Sequence, residues 1–194
     1  MPFISSVRHH ATNLTNFAGR ETRAQFWPYA IAVFMLITII CMSLFLPPFF
    51  QSMERFERFA EQHPDSATVK VGSGQRTIRV EGDHPELMPD MGPFLVAVIL
   101  SGIGTVALLA AAVVRRLHDL GRSGRWGALP LPFLALALTV EPAAIARRGD
   151  IEMGLSLLLF FNNLVYLGCV ARLFVWLARA GDASENRFGT RPVA

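Results

Sequence analysis

The chain has 194 residues, 52% of them hydrophobic and only 17% charged, with a mean hydropathy of +0.39. This balance lies outside ordinary soluble globular usage and predicts an integral membrane protein. The formal charge of +3 comes from arginines in loops flanking apolar runs; no basic cluster is interleaved with aromatics on a polar stretch, so nucleic acid is excluded as a partner.

A hydrocarbon core of about 30 Å takes roughly 20 mainly apolar residues to cross as a helix. Four stretches qualify or nearly qualify: Trp27 to Phe50, Pro93 to Val114, Trp126 to Ile145 and Met153 to Leu177. The expected fold is therefore all-α integral membrane, with four transmembrane helices. Residues 1–26 form an N-terminal segment, 27–178 a four-helix transmembrane domain carrying an insertion at 51–91, and 179–194 a tail.

Along the N-terminal segment, His9-His10 reads as an isolated pair in a mobile terminus. Thr22-x-x-Gln25 forms a capping box that starts a helix near Arg23. Phe26 and Trp27 then fall at the membrane interface, with Arg20 and Arg23 at headgroup level. The first apolar run starts too late and runs too long for a cleavable signal, so it reads as an anchor that stays. Cys41 and Cys169 lie inside spans at different depths, which makes a disulfide between them unexpected.

Beyond the first span, Met53, Phe56, Phe59 and Ala60 make one stripe of an amphipathic helix that continues to Gln62. After Pro64 the pattern alternates: Val69 and Val71, a Gly72-Ser73-Gly74 turn, then Ile78 and Val80, which predicts a β-hairpin. Two strands alone are marginal in water, so the hairpin is expected to pack on the helix, the bilayer surface or a partner.

In the second span, Gly102-x-Gly104-x-x-Ala107 matches a dinucleotide fingerprint but lies within a helix rather than at a strand-to-helix turn. Ala97, Ser101 and Thr105 recur every four residues there, a small-residue face that another helix can approach. The elbow that follows holds Arg115, Arg116, Arg122 and Arg125 within eleven residues, with Asp119 their one carboxylate. Arg115 and Asp119, four apart, share a helical face. Held ionised by those charges, Asp119 is the expected common acceptor tying Arg20, Arg23, Arg115 or Arg187 together. Gly121 ends the helix in a left-handed conformation and Ser123 caps the next one.

Pro130 and Pro132 interrupt the third stretch early. In the fourth, Asn162 and Asn163 read first as interhelical hydrogen-bonding groups, and Arg172 as a side chain that snorkels to the interface.

Arginine bias sets the orientation. Arg8, Arg20 and Arg23, the elbow, and Arg179, Arg187 and Arg191 share one side. The opposite side receives residues 51–91, where eight acids outnumber five bases, and the Arg147-Arg148-Gly149-Asp150 turn. Both termini are thus expected in the cytoplasm, with the long helix-and-hairpin loop outside.

No catalytic motif stands out. Gly121-Arg122-Ser123-Gly124-Arg125 lacks the final glycine of a nucleophile elbow. His118 has no second His or Cys at ligand spacing. His118 and Asp119, as helix neighbours, do not face each other as an acid–base pair would need to. Neither an enzyme nor a cofactor is expected. The favoured reading is a binding or scaffold protein whose rim of Arg20, Arg23, Arg115, Arg116, Arg122 and Arg187, with His118, Asp119 and Asn186, engages anionic phospholipid headgroups, a membrane protein partner or a second copy of the chain. The alternative is a small transporter or channel subunit using Asn162, Asn163 and Glu141 as a polar path, although no inverted repeat is visible.

Three blocks carry a resemblance: Phe17-x-Gly19-Arg20-x-x-Arg23-x-x-Phe26-Trp27, then Arg115-Arg116-Leu117-His118-Asp119-x-Gly121-Arg122-Ser123-Gly124, then Glu185-Asn186-Arg187-Phe188-Gly189. In kind and order they resemble the bacterial inner-membrane family known as domain of unknown function 805, from about Phe17 to Pro192. The resemblance implies a multi-pass inner-membrane protein and no particular activity. Two features depart from the family pattern. The long loop looks like an insertion, and Ala180-Gly181-Asp182-Ala183-Ser184 replaces the usual Pro-Gly-rich lead-in.

Overall fold

A computed structural model describes residues 3–72, 75–146 and 152–190, with backbone alone for 71, 75, 76 and 141–146. Ser73 and Gly74 of the expected turn, the Arg147–Asp150 turn, Arg191 and the Glu141 side chain lie outside the described residues. Five α-helices and one hairpin are described: α1 (Phe3–Ala11), α2 (Arg23–Gln62), β1 (Ala67–Gly72), β2 (Gln75–Val80), α3 (Gly92–Asp119), α4 (Leu131–Ala146) and α5 (Met153–Ala178). Among the described residues three helices, α2, α3 and α5, are long and apolar enough to cross a membrane. Their outward surfaces suit lipid, because Phe34, Ile103, Phe160 and Leu167 are all more than half exposed.

The third apolar stretch departs from expectation. It does not run as one helix from Trp126, but opens as a short 3₁₀ helix, Gly124–Ala128, and resumes as α4, 16 residues long. Without an N–H, Pro130 and Pro132 cannot donate back to Trp126 and Ala128, so a continuous helix would lose two bonds here although Leu129 keeps right-handed helical angles; Pro132 is tolerated because it falls in the first turn of α4.

The chain divides into two compact units, Met1–Ile37 with Ile99–Ala194, and Thr38–Val98. In the first, the core is Phe26, Tyr29, Val33, Ala112, Leu117, Trp176 and Leu177. Small residues bring its helices close: a Cβ on Gly102 would sit 2.9 Å from Leu138 Cδ1, so α3 and α4 nearly touch there. Tyr29 donates its hydroxyl to the Leu108 carbonyl at 3.0 Å, and Asn162 donates its amide to the Phe133 carbonyl at 3.0 Å, joining α5 to α4. The N-terminal segment is ordered: residues 3–11 form α1, fastened by Ser6, whose hydroxyl donates to the Gln25 carbonyl at 2.6 Å.

In the second unit, β1 and β2 pair antiparallel with Val69 opposite Ile78 and Ala67 opposite Val80. The continuation of α2 to Gln62 is as expected, but its buried stripe is Ser52 and Ala60 with half-buried Phe56 and Phe59, while Met53 is exposed. The segment docked on this stripe is the 3₁₀ turn Pro85–Leu87, which follows the hairpin. Leu87 is buried there, Ser52 donates to its carbonyl at 2.6 Å, and Arg55 donates to the Glu86 carbonyl at 2.9 Å. Backbone hydrogen bonding at Glu86 first, and His84 Nδ1 at 2.9 Å second, hold the Glu86 carboxyl below the usual range.

Candidate functional site: an arginine–carboxylate network

The start of α2 positions the first set of side chains. The Thr22 amide donates to Gln25 Oε1 at 2.9 Å and the Gln25 amide to Thr22 Oγ1 at 3.3 Å, a reciprocal capping box. Gly19, at φ 84°, turns the chain into it. The Glu21 amide then donates to the Arg115 carbonyl at 3.2 Å, which lays Arg20 and Glu21 across the last turns of α3.

That helix ends in a Schellman motif. The Gly121 amide donates to His118 at 3.0 Å and the Arg122 amide to Leu117 at 2.9 Å, with Gly121 at φ 65° as expected. Ser123 caps the short Gly124–Ala128 helix rather than a span.

Two buried carboxylates organise the arginines, where the sequence suggested one. Asp119 Oδ1 accepts from Arg20 Nε at 3.2 Å and Nη2 at 3.0 Å, and Oδ2 accepts from Arg116 Nη1. Arg115 turns instead to Glu21, donating from Nε to Oε2 at 3.0 Å. The other Glu21 oxygen meets His10 Nε2, and His10 stacks on Tyr29 with ring centroids 4.2 Å apart. The expected tie from Asp119 to Arg23, Arg115 or Arg187 is thus corrected to Arg20 and Arg116. Residues three apart on a helix are as close as those four apart, so Arg116 competes equally for Asp119, and Glu21 supplies a nearer carboxylate for Arg115.

Backbone carbonyls take up the remaining donors. Arg20 donates to Asp182 at 2.6 Å, Ser184 at 2.7 Å and Gly189 at 3.2 Å. Arg116, fully buried, donates from Nε to Leu177 at 3.0 Å and from Nη2 to Arg179, closing the carboxyl end of α5. Arg115 donates to Asn13 at 3.2 Å and to Asn16. These guanidiniums therefore join four segments remote in sequence.

The tail completes the arrangement. The Asp182 amide donates to the Asp119 carbonyl at 2.7 Å, and Asn186 Nδ2 donates to the His118 carbonyl and to Asp182 Oδ2, each at 3.0 Å. A Cβ on Gly181 would lie 1.8 Å from Asp119 Oδ2, so only glycine lets the tail pass. His118 stacks on Phe188 at 3.8 Å, its Nδ1 hydrogen-bonded with the Gly19 carbonyl at 3.1 Å. Arg187 lies 4.7 Å over the same Phe188 ring and reaches the Gly121 carbonyl at 3.3 Å.

Of the nine residues read as a rim, Arg20, Arg115, Arg116 and Asp119 are buried, and His118, Asn186 and Arg187 gather where the tail crosses the elbow. Arg23 stays outside the network, donating to the Ala178 carbonyl at 3.4 Å, and Arg122 stacks on Trp176. Sequence reasoning missed Glu21 and His10. The signals were a carboxylate adjoining Arg20, and the spacing of Ser6 and His10 on one face of a helix whose last turn is basic.

No curated protein and no solved structure matches the chain. The model of a protein family of unknown function, DUF805, matches residues 14–190 and takes in every arginine and carboxylate of the network, leaving out His10 and Asn13. The chain belongs to the DUF805 family.

Proposed function

We propose that the chain is a multi-pass protein of the bacterial inner membrane that works by binding rather than catalysis, its cytoplasmic rim engaging anionic lipid headgroups. In this reading α2, α3, α4 and α5 are four spans, with both termini and the α3–α4 elbow inside. Arginine bias supports that orientation. The third span, α4, is the shortest at 16 residues, and a bilayer adapts to short apolar helices by thinning locally.

One observation carries the binding role: the arginines fall into two classes. Arg20, Arg115 and Arg116 are buried on Glu21 and Asp119, whereas Arg23, Arg122, Arg125, Arg179 and Arg187 have no carboxylate partner among the described residues. The first class builds the platform; the second, exposed at Arg23, Arg125, Arg179 and Arg187 and half-buried at Arg122, is open to anionic lipid at about 1 kcal/mol per arginine. The rim is therefore narrower than the nine residues first expected. The transporter alternative draws no support from Asn162, whose amide is engaged by Phe133.

Lipid carried through purification tests the reading. The protein should retain phosphatidylglycerol in preference to phosphatidylcholine, and Arg122→Gln/Arg125→Gln/Arg187→Gln should lower that retention severalfold with folding unchanged. Equal retention by both proteins overturns it, and a membrane protein partner or self-association then becomes the binding role to pursue.

A further inference from the structure

We propose that Arg122 and Arg172, both held against the ring of Trp176, form a defined site for the phosphate of one anionic phospholipid; this rests on the reading that the rim engages lipid.

The two arginines come from different elements, Arg122 from the turn after α3 and Arg172 from α5. Their guanidinium carbons lie 4.5 and 4.8 Å from the centroid of the same indole ring. Trp176 is 4% exposed, and Trp126 packs edge-on against it at 5.4 Å and 73°, so the platform is fixed. Neither guanidinium has a carboxylate or carbonyl partner among the described residues, which sets both apart from Arg20, Arg115 and Arg116. The indole N–H of Trp176 is itself buried without an acceptor there.

Two like charges on one ring stand within roughly 10 Å of each other, about one Debye length at 0.1 M salt. Cation–π attraction holds each to the indole but neutralises neither. The missing element is an anion with several acceptor oxygens, and a planar guanidinium matches a phosphate with two parallel N–H donors.

Position selects a lipid phosphate over a soluble one. Arg172 lies six residues before the end of α5, roughly 9 Å of helix rise inside its terminus. Trp126 and Trp176 occupy the same level, where aromatic side chains mark the headgroup region. An ionised side chain this far into an apolar helix calls for a partner, and the described protein supplies none.

Native mass spectrometry of the full-length protein, titrated with phosphatidylglycerol, phosphatidylcholine or inorganic phosphate, tests the site. Phosphatidylglycerol should bind with a stoichiometry of one at low concentration. Arg122→Gln/Arg172→Gln should weaken it by roughly tenfold or more, the scale expected when two arginines leave an anionic surface. Should the double variant fail to fold, Arg122→Gln alone, on the half-exposed turn, should still weaken it severalfold. Unchanged binding in the folded variants overturns the site. If Arg125→Gln/Arg187→Gln lowers retention while Arg122→Gln/Arg172→Gln does not, the rim reading survives and this site falls; no preference for phosphatidylglycerol in the wild type defeats both. Inorganic phosphate binding as tightly as the lipid overturns the lipid assignment.

Discussion

Asp119 and Glu21 each satisfy groups that have no other way to be buried. Removing the charge from Asp119 while leaving Arg20 and Arg116 in place strands two guanidiniums, and breaking a buried pair in this way costs about 3–5 kcal/mol. We therefore expect Asp119→Asn to lower the thermal unfolding midpoint of the detergent-purified protein sharply and to reduce its level in membranes. A wild-type midpoint would mean that the pairs contribute little. Glu21→Gln should act similarly through Arg115 and His10. A double-mutant cycle with Arg115→Gln should show coupling between them, and additive losses would contradict the pairing. At Gly181 the argument is steric: a methyl group 1.8 Å from Asp119 Oδ2 forces the tail or the carboxylate aside. Gly181→Ala should expose the tail to limited proteolysis near Asp182, and wild-type resistance would refute the close fit.

The elements differ in how much of their design is local. The capping box at Thr22 and Gln25, the left-handed helix end at Gly121 and the existence of the hairpin use residues close in sequence and were legible there, although the register that sets Val69 opposite Ile78 was not. Thr22→Ala should cost about 1 kcal/mol, the usual value of a helix cap, with a measurable drop in unfolding midpoint. The start of α4 was misread because apolarity alone does not reveal where proline permits a helix to begin. The stripe on α2 was misread at Met53 because its partner, the turn around Leu87, is 35 residues from Ser52. Leu87→Ala should release this turn and speed amide exchange at Met88, whose N–H donates to Pro85 at 3.2 Å; unchanged exchange would show that the turn does not depend on that side chain.

For the whole molecule, the proposed topology makes a separate prediction. A fluorescent protein fused after Ala194 should fold and fluoresce in the cytoplasm, and alkaline phosphatase inserted at the hairpin should be active outside it. The reverse pattern would invert the rim and remove the basis for a cytoplasmic lipid contact. The apolar cavity in the first unit, about 690 Å³ and lined by Phe34, Val106, Tyr166 and Phe174 among others, adds no polar path through the bundle.

Composition, hydropathy and the three arginine-bearing blocks were enough to establish the family and the helical, apolar character of the chain, because these properties depend on residue type and on spacing within one element. They also located Arg20, Arg115, Arg116 and Asp119, but not their pairings and not Glu21 or His10. Whether Asp119 meets Arg115 or Arg116, whether Glu21 and His10 take part, and which arginines stay free depend on how the segments at Asn13, Arg20, Leu177 and Asp182 are brought to one place. Guanidinium donors reach any carboxylate or carbonyl within a few ångströms, so only the tertiary arrangement chooses among acceptors that the sequence leaves equivalent.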